Sequence, residues 1–326
     1  MHNKTETDVA LQKRLKLAFV MMALLATAAT IAVFPAGAVD ALGVTEVAPG
    51  VFVHRGAYED VNPNNRGDIA NIGFIVGEKG VAVIDTGNTL ALGQALRAAV
   101  KARTGLPVLY VINTHGHPDH VFGNAAFKDD KPQFVGHEKL GKWVSFKAPY
   151  YVETLKTFVG EAAAQGAEAI APGLTVKAGQ THDLDLGGRT LTISGWAAAH
   201  TDNDITVLDS KTKTLWTGDL LFVDRVPALD GTILGWLKAI PELRKLAAER
   251  AVPGHGPASV PWPQALAAEE RYLNVLVQDI RKIQKGHGTL EEAAKTAGME
   301  EKGNWALFDD YNARNVTAAF VELEWE

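Results

Sequence analysis

Four residues that can bind metal stand within six positions: His115-Gly116-His117-Pro118-Asp119-His120. They closely follow the apolar run 107–113, which reads as a buried strand. In extended backbone, residues two apart point the same way, so His115 and His117 can face one ion. Gly116 permits unusual backbone angles, and Pro118 favours a turn. That turn can swing Asp119 and His120 toward a second point. A polar turn that happens to be rich in His is the plainer reading, and for a lone His it would be preferred. Four ligand types in six positions, at the exit of a buried strand, argue for metal. The chain has no Cys, so thiolate chemistry and iron–sulfur clusters are excluded and any metal is held by His, Asp and Glu.

One catalytic zinc takes about three protein ligands and keeps a position open for water. The six-residue loop cannot supply two ions alone. Three further candidates stand in positions that follow expected strands: His200 in Ala199-His200-Thr201-Asp202, Asp219 in Thr217-Gly218-Asp219, and His255 in Pro253-Gly254-His255-Gly256-Pro257. Each has a bland explanation, as a loop cap, a turn carboxylate or a surface imidazole. Together they reach the number that two metals need.

The elements that must position these groups follow from patterning. Runs at 51–54, 71–76, 81–85 and 107–113 read as strands, the second and third joined as a hairpin through Gly77-Glu78-Lys79-Gly80. Asn88 or Thr89 can cap a helix whose inner face is Leu92, Leu96, Ala99 and Val100. Residues 133–135 read as a strand, and 137–165 read as mostly helical with a break near Pro149. In the second half, 189–194, 205–209, 214–217 and 251–252 read as strands, 236–249 and 263–285 as helices, and the remaining tail as mixed and polar. Two strand-rich halves with helices between them suggest an α/β fold, two mixed sheets packed face to face with helices outside. His54, His137, His182 and His287 have ordinary structural explanations. Trp143, Tyr150, Trp196 and Trp236 are assigned by default to core.

Before these elements, Lys4, Lys13, Arg14 and Lys16 precede an apolar run over 17–34, which ends in Ala36-Gly37-Ala38. That order reads as a secretory signal over 1–38, with the mature chain starting at Val39 in the periplasm or outside the cell. An uncleaved anchor is the alternative, since the run is at the lower limit for a membrane span. Residues 39–326 contain no low-complexity linker and read as one domain with a helical extension from about 263. With 326 residues and a net charge of −6, the chain is expected to hold a sizeable core and to bind no nucleic acid.

The order His115-x-His117-x-Asp119-His120, His200, Asp219, His255, with Val83-Ile84-Asp85-Thr86-Gly87 upstream, resembles the metallo-β-lactamase-fold superfamily over about residues 45–260. The resemblance implies a four-layer αβ/βα sandwich with metals at one edge. It implies a first zinc on His115, His117 and His200, a second on Asp119, His120 and His255, and Asp219 between them. It makes Asp85 the residue that orients the ligand loop. Segments 66–76, 121–127, 219–230 and 315–326 are similar to the quinoprotein relay system zinc metallohydrolases, an exported subgroup.

The implied activity is hydrolysis of a small-molecule ester, thioester, lactone or lactam by metal-bound hydroxide, with Asp119 and Asp219 orienting the nucleophile or moving its proton. His200-Thr201-Asp202-Asn203-Asp204 resembles the matching segment of true β-lactamases. However, Asp219 and Phe222 stand where one lactamase class has Cys and a carboxylate-gripping Lys. Two Zn2+ are the expected cofactors, with iron or mixed metals as the alternative. Two other readings compete: a mononuclear iron oxygenase acting on sulfur compounds through His115, His200 and Asp219, with or without His117, and a non-catalytic metal-binding partner of a periplasmic quinoprotein system.

Overall fold

Alternation along the strands decides which layer each side chain enters. In Val51–His54, Val51 and Val53 point into one core and Phe52 into another. In Val81–Ile84, Ala82 and Ile84 face the first core, and Val81 and Val83 the second. A strand buried on both faces belongs in the middle of a layered molecule. The computed structural model describes residues 40–325, so the expected signal at 1–38 lies outside the described residues.

The first half builds a seven-stranded sheet in sequential order: β1 (Thr45–Ala48), β2 (Val51–His54), β3 (Ile72–Val76), β4 (Val81–Ile84), β5 (Val108–Ile112), β6 (Gln133–His137) and β7 (Leu174–Val176). β1 to β4 pair antiparallel, and β4 to β7 pair parallel. The switch follows from helix α1 (Leu90–Arg103), which supplies the crossover that a parallel pair requires. Thr89 caps it by accepting from the Leu92 amide, and Leu96, Ala99 and Val100 are buried as their spacing predicts. Next come α2 (Pro118–Val121), α3 (Leu140–Phe146), α4 (Ala148–Val159) and α5 (Glu161–Ala164). Pro149 stands in the first turn of α4, where its missing N–H costs nothing, so the expected break is a helix boundary.

The second half builds a six-stranded sheet from β8 (Thr181–Asp185), β9 (Thr190–Gly195), β10 (Ile205–Asp209), β11 (Thr214–Phe222), β12 (Arg250–His255) and β13 (Val260–Pro261). Ile193, Val207, Trp216 and Val252 of this sheet meet Val53, Ile84, Ile112 and Val135 of the first in one shared core. α1 covers the outer face of the first sheet. Helices α6 (Ile233–Leu243) and α7 (Leu266–Lys285) cover the second, together with α9 (Phe308–Leu323), which follows α8 (Leu290–Thr296). The result is the four-layer αβ/βα sandwich expected.

Three element boundaries differ from expectation. β11 runs on to Phe222, so Asp219 lies within a fully buried strand and not after it. The helix expected at 236–249 spans Ile233–Leu243, because Thr232 accepts from the Gly235 amide and starts it earlier. The tail read as mixed and polar contains the 16-residue α9, with Val316, Ala319 and Phe320 buried. α9 is held by its polar residues as well: Glu322 accepts from the amides of Ile233 and Leu234, and Asn315 donates to Pro227 O at 2.6 Å.

Candidate metal centre

The expected ligands come from strand ends, from the turns that follow strands and, for Asp219, from the interior of β11. β5 ends at Ile112, and the His115–His120 loop follows; Pro118 opens α2 and carries Asp119 and His120 onto its first turn. Gly116 does not have a positive φ, contrary to its expected role. It is glycine for space: a Cβ there would lie 2.6 Å from the Trp143 ring. His200 comes from the turn between β9 and β10, Asp219 from β11, and His255 from the end of β12.

Seven side chains gather into two groups, His115, His117, His200 and Asp219, and Asp119, His120 and His255. Within each group, one ligand atom per residue lies within 4.8 Å of all the others. His117 Nδ1 is 3.1 Å from His115 Nε2 and 3.0 Å from His200 Nε2. Asp219 faces both groups: Oδ2 is 3.4 Å from His200 Nε2 and 3.3 Å from His255 Nε2, and Oδ1 is 3.2 Å from His120 Nε2.

The hydrogen bonds on the far side of each ring assign its tautomer. His200 Nδ1 donates to Ala228 O at 2.6 Å, which leaves Nε2 as a bare lone pair. His117 Nε2 donates to Asp230 Oδ2 at 3.2 Å, which leaves Nδ1 bare. His255 Nδ1 lies 2.8 Å from Ile69 O and 2.7 Å from Arg225 Nη1. His120 Nδ1 donates to Asp85 Oδ2 at 2.8 Å. The inward nitrogens of His200, His117 and, in its neutral form, His120 are therefore acceptors facing other imidazoles or a carboxylate. His120 Nε2 and Asp219 Oδ1 are buried without a hydrogen-bond partner. Buried acceptors in that arrangement are costly unless a cation stands among them. A donor set of imidazole nitrogens and carboxylates with no thiolate suits zinc or iron.

The electrostatics of His200, His115 and Asp219 agree with ligand roles, whereas at His120 burial is outweighed by Asp219, Asp119 and Asp85, which hold it well above the usual histidine range. Burial pushes His200 down to about 3, and burial together with the neighbouring imidazoles pushes His115 well below the usual histidine range. Both are neutral at pH 7, the form that binds metal. Burial opposes ionisation of Asp219, but His255, His120, His115 and His200 outweigh it and hold its carboxyl well below the ordinary value.

Asp85 behaves as the expected orienting residue. It occupies a left-handed backbone position after β4. From there it accepts from the Thr114 amide at 2.8 Å and the Thr114 hydroxyl at 2.7 Å, as well as from His120. Removing an orienting partner of this kind costs roughly 10–100-fold in metal affinity or activity, and Asp85→Asn is expected to fall in that range in a metal titration. His255 reaches only the second group and the shared carboxylate. His255→Ala should therefore take metal content from two ions per chain toward one, measured by elemental analysis. Two ions retained would remove His255 from the site.

Several working residues had no role assigned from the sequence. Asp230 holds the His117 ring. Asp204 accepts from the Thr201 amide at 2.9 Å and its hydroxyl at 2.5 Å, so it shapes the His200 turn. Asn71 donates to Pro253 O at 2.8 Å and links β3 to the turn bearing His255. Of the residues assigned to core, Trp143 and Trp236 are buried, but Tyr150 is 71% exposed and lines the cleft. His54 is tied to Asp68 and Gly43 O, outside that lining. His137 ends β6 and does not open a helix.

The centre opens into a cavity of about 420 Å3 that exposes Asp119, His117, Asp219 and His255 to the same space. An αβ/βα sandwich with two adjoining His/Asp groups at the end of its sheets defines a class of metal-binding proteins with a substrate-sized cleft. The metallo-beta-lactamase superfamily model matches residues 65–255, more than half of the chain, and the chain belongs to that superfamily, whose members are usually metal-dependent hydrolases.

Solved structures agree on the fold. A metallo-beta-lactamase from Pontibacter korlensis has a TM-score of 0.57 at 21% identity, covering 72% of this chain and 99% of its own. The DIM-1 metallo-beta-lactamase has a TM-score of 0.54 at 16% identity, over 72% of this chain and 98% of its own. The sec-alkylsulfatase Pisa1 from Pseudomonas sp. has a TM-score of 0.58 at 18% identity, over 78% of this chain and 45% of its own. No curated protein matches the chain.

Proposed function

We propose that this protein is an exported dinuclear zinc hydrolase of the quinoprotein relay type that cleaves an ester, thioester, lactone or lactam bond of a small molecule. The observation that carries the reading is the convergence of bare imidazole nitrogens on Asp219 at the floor of an open cavity. His115, His117 and His200 would hold one ion, Asp119, His120 and His255 the other, and Asp219 would join them. When bound, such a pair lowers the pKa of water from 15.7 to about 7 and polarises the scissile carbonyl.

The chain's own residues supply the rest. Asp119 reaches the cavity from α2, 3.4 Å from His255 Nε2 through Oδ2, and is placed to orient the attacking water and take its proton. Asp219 stays ionised and fixes the spacing of the two groups. Phe222 and Ile69 on the cavity wall limit the water around the reacting bond. The completeness of the second group supports this reading over a single-iron oxygenase, which would leave Asp119, His120 and His255 idle.

Metal analysis of the purified protein, followed by a panel of esters, thioesters, lactones and lactams, tests the proposal. Two zinc ions and turnover of at least one class are expected. Full loading with no cleavage would instead favour a metal-binding partner of a quinoprotein system. Export has its own check: N-terminal sequencing of secreted material should begin at Val39, and an intact Met1 in a membrane fraction would favour the anchor.

A further inference from the structure

Part of the cavity wall comes from outside the superfamily match. α9 contributes Tyr311 and Arg314, beyond residue 255. Its position is set by Asn315, which donates to Pro227 O at 2.6 Å and the Tyr272 hydroxyl at 2.9 Å and accepts from the Leu229 amide at 3.0 Å. Two guanidiniums lie over the Tyr311 ring, Arg225 at 5.3 Å and Arg314 at 5.2 Å from its centre.

Most charges lining the cavity are already engaged. Asp60 accepts from the Tyr311 hydroxyl at 3.1 Å. Asp230 is held by His117 and by Lys147 at 3.8 Å. Asp119 and Asp219 belong to the metal groups. Arg225 is buried, with Nη1 2.7 Å from His255 Nδ1 and Nη2 donating to the Tyr311 hydroxyl at 3.2 Å. Arg314 differs. It is exposed, rests on the Tyr311 face and has no carboxylate within ion-pair distance among the described residues.

The third wall is α4. Tyr151, Leu155 and Phe158 line the cavity at helical spacing, and Phe158 is 50% exposed. An apolar helix face left partly open beside the Arg314 guanidinium suits a ligand with both characters. A volume of about 420 Å3 lies within the roughly 300–1,000 Å3 usual for small-molecule sites.

We propose that the cavity selects an anionic amphiphile: an oxyanion on one arm of the substrate pairs with Arg314, and an apolar arm lies along Tyr151, Leu155 and Phe158. The substrate class of the hydrolase reading, on which this rests, narrows to those of its substrates that carry a separate, negatively charged group. Arg314 is a specificity residue here and leaves the chemistry to the metal-facing groups. Its planar fork can meet two oxygens at once, which a point charge cannot.

A non-hydrolysable pair separates recognition from turnover. Hexane-1-sulfonate and hexan-1-ol share the apolar arm and differ in the oxyanion. Calorimetry on the metal-loaded full chain should find the sulfonate bound about tenfold more tightly than the alcohol. Arg314→Gln should remove about tenfold of the sulfonate affinity and leave the alcohol unchanged. Phe158→Ser should weaken both probes. If Arg314→Gln binds both probes as the natural chain does, or if the natural chain does not distinguish them, the inference is overturned. Arg314-dependent sulfonate binding by a chain that cleaves nothing would sink the hydrolase reading alone. A working hydrolase indifferent to Arg314 would sink this inference alone.

Discussion

Asp219→Ala is expected to lose both metal ions and bring turnover to background, a larger effect than any other single ligand substitution. Asp219 alone presents an oxygen to each group: Oδ2 lies 3.4 Å from His200 Nε2, and Oδ1 lies 3.2 Å from His120 Nε2. Its removal weakens each site, frees the spacing between them and deletes the negative charge that offsets two cations. It also leaves buried imidazole lone pairs facing one another with nothing between. The order should be Asp219→Ala worse than His255→Ala, and both worse than Asp85→Asn, whose cost is roughly 10–100-fold. Elemental analysis and turnover on whichever model substrate responds, measured in parallel, check the order. Two tightly held ions and near-normal turnover in Asp219→Ala would show that the carboxylate does not join the sites, and the dinuclear mechanism would go with it.

The ligands were legible because metal chemistry restricts residue types as well as spacing. His, Asp and Glu gathered at strand exits have few competing explanations when four fall in six positions. The layers were legible for a related reason: alternation in 51–54 and 81–84 can be satisfied only by a core on each side. What failed was context. Gly218 read as the end of a strand, yet β11 continues to Phe222 through irregular pairing with β12, so a glycine that makes room beside Thr114 looked like a stop. α9 was missed because its buried face includes Asn312 and Asn315. Those amides bond to Tyr272, Ala297 and Pro227, partners that periodicity cannot see. Arg225 and Arg314 carry no local signal either. Their role exists only because α9 folds back over the cleft.

The same close packing makes Gly254→Ala the second severe change expected, though Gly254 binds nothing. Gly254 lies in β12, alongside the part of β11 that carries Asp219. A Cβ there would stand 1.9 Å from Asp219 Oδ1, 2.8 Å from the Gly218 carbonyl carbon and 2.9 Å from the Asp219 amide nitrogen. No rotamer choice at position 254 relieves this, because the clash is with the first side-chain atom. Either the carboxylate swings away from His120 or the two strands part. Overpacking of this kind costs about 1–3 kcal/mol of stability, which a domain of ordinary stability survives. The metal centre is less tolerant, since a displacement of about 1 Å at a reacting group can cost on the order of 10²-fold. Gly254→Ala should therefore remain folded by circular dichroism while losing metal and at least about 10²-fold in turnover. Gly105→Ala, where the added atom meets nothing within 4 Å, is the matched control and should change neither. If Gly254→Ala keeps two ions and full turnover, the carboxylate has room to move, and its fixed position cannot be what holds the centre together.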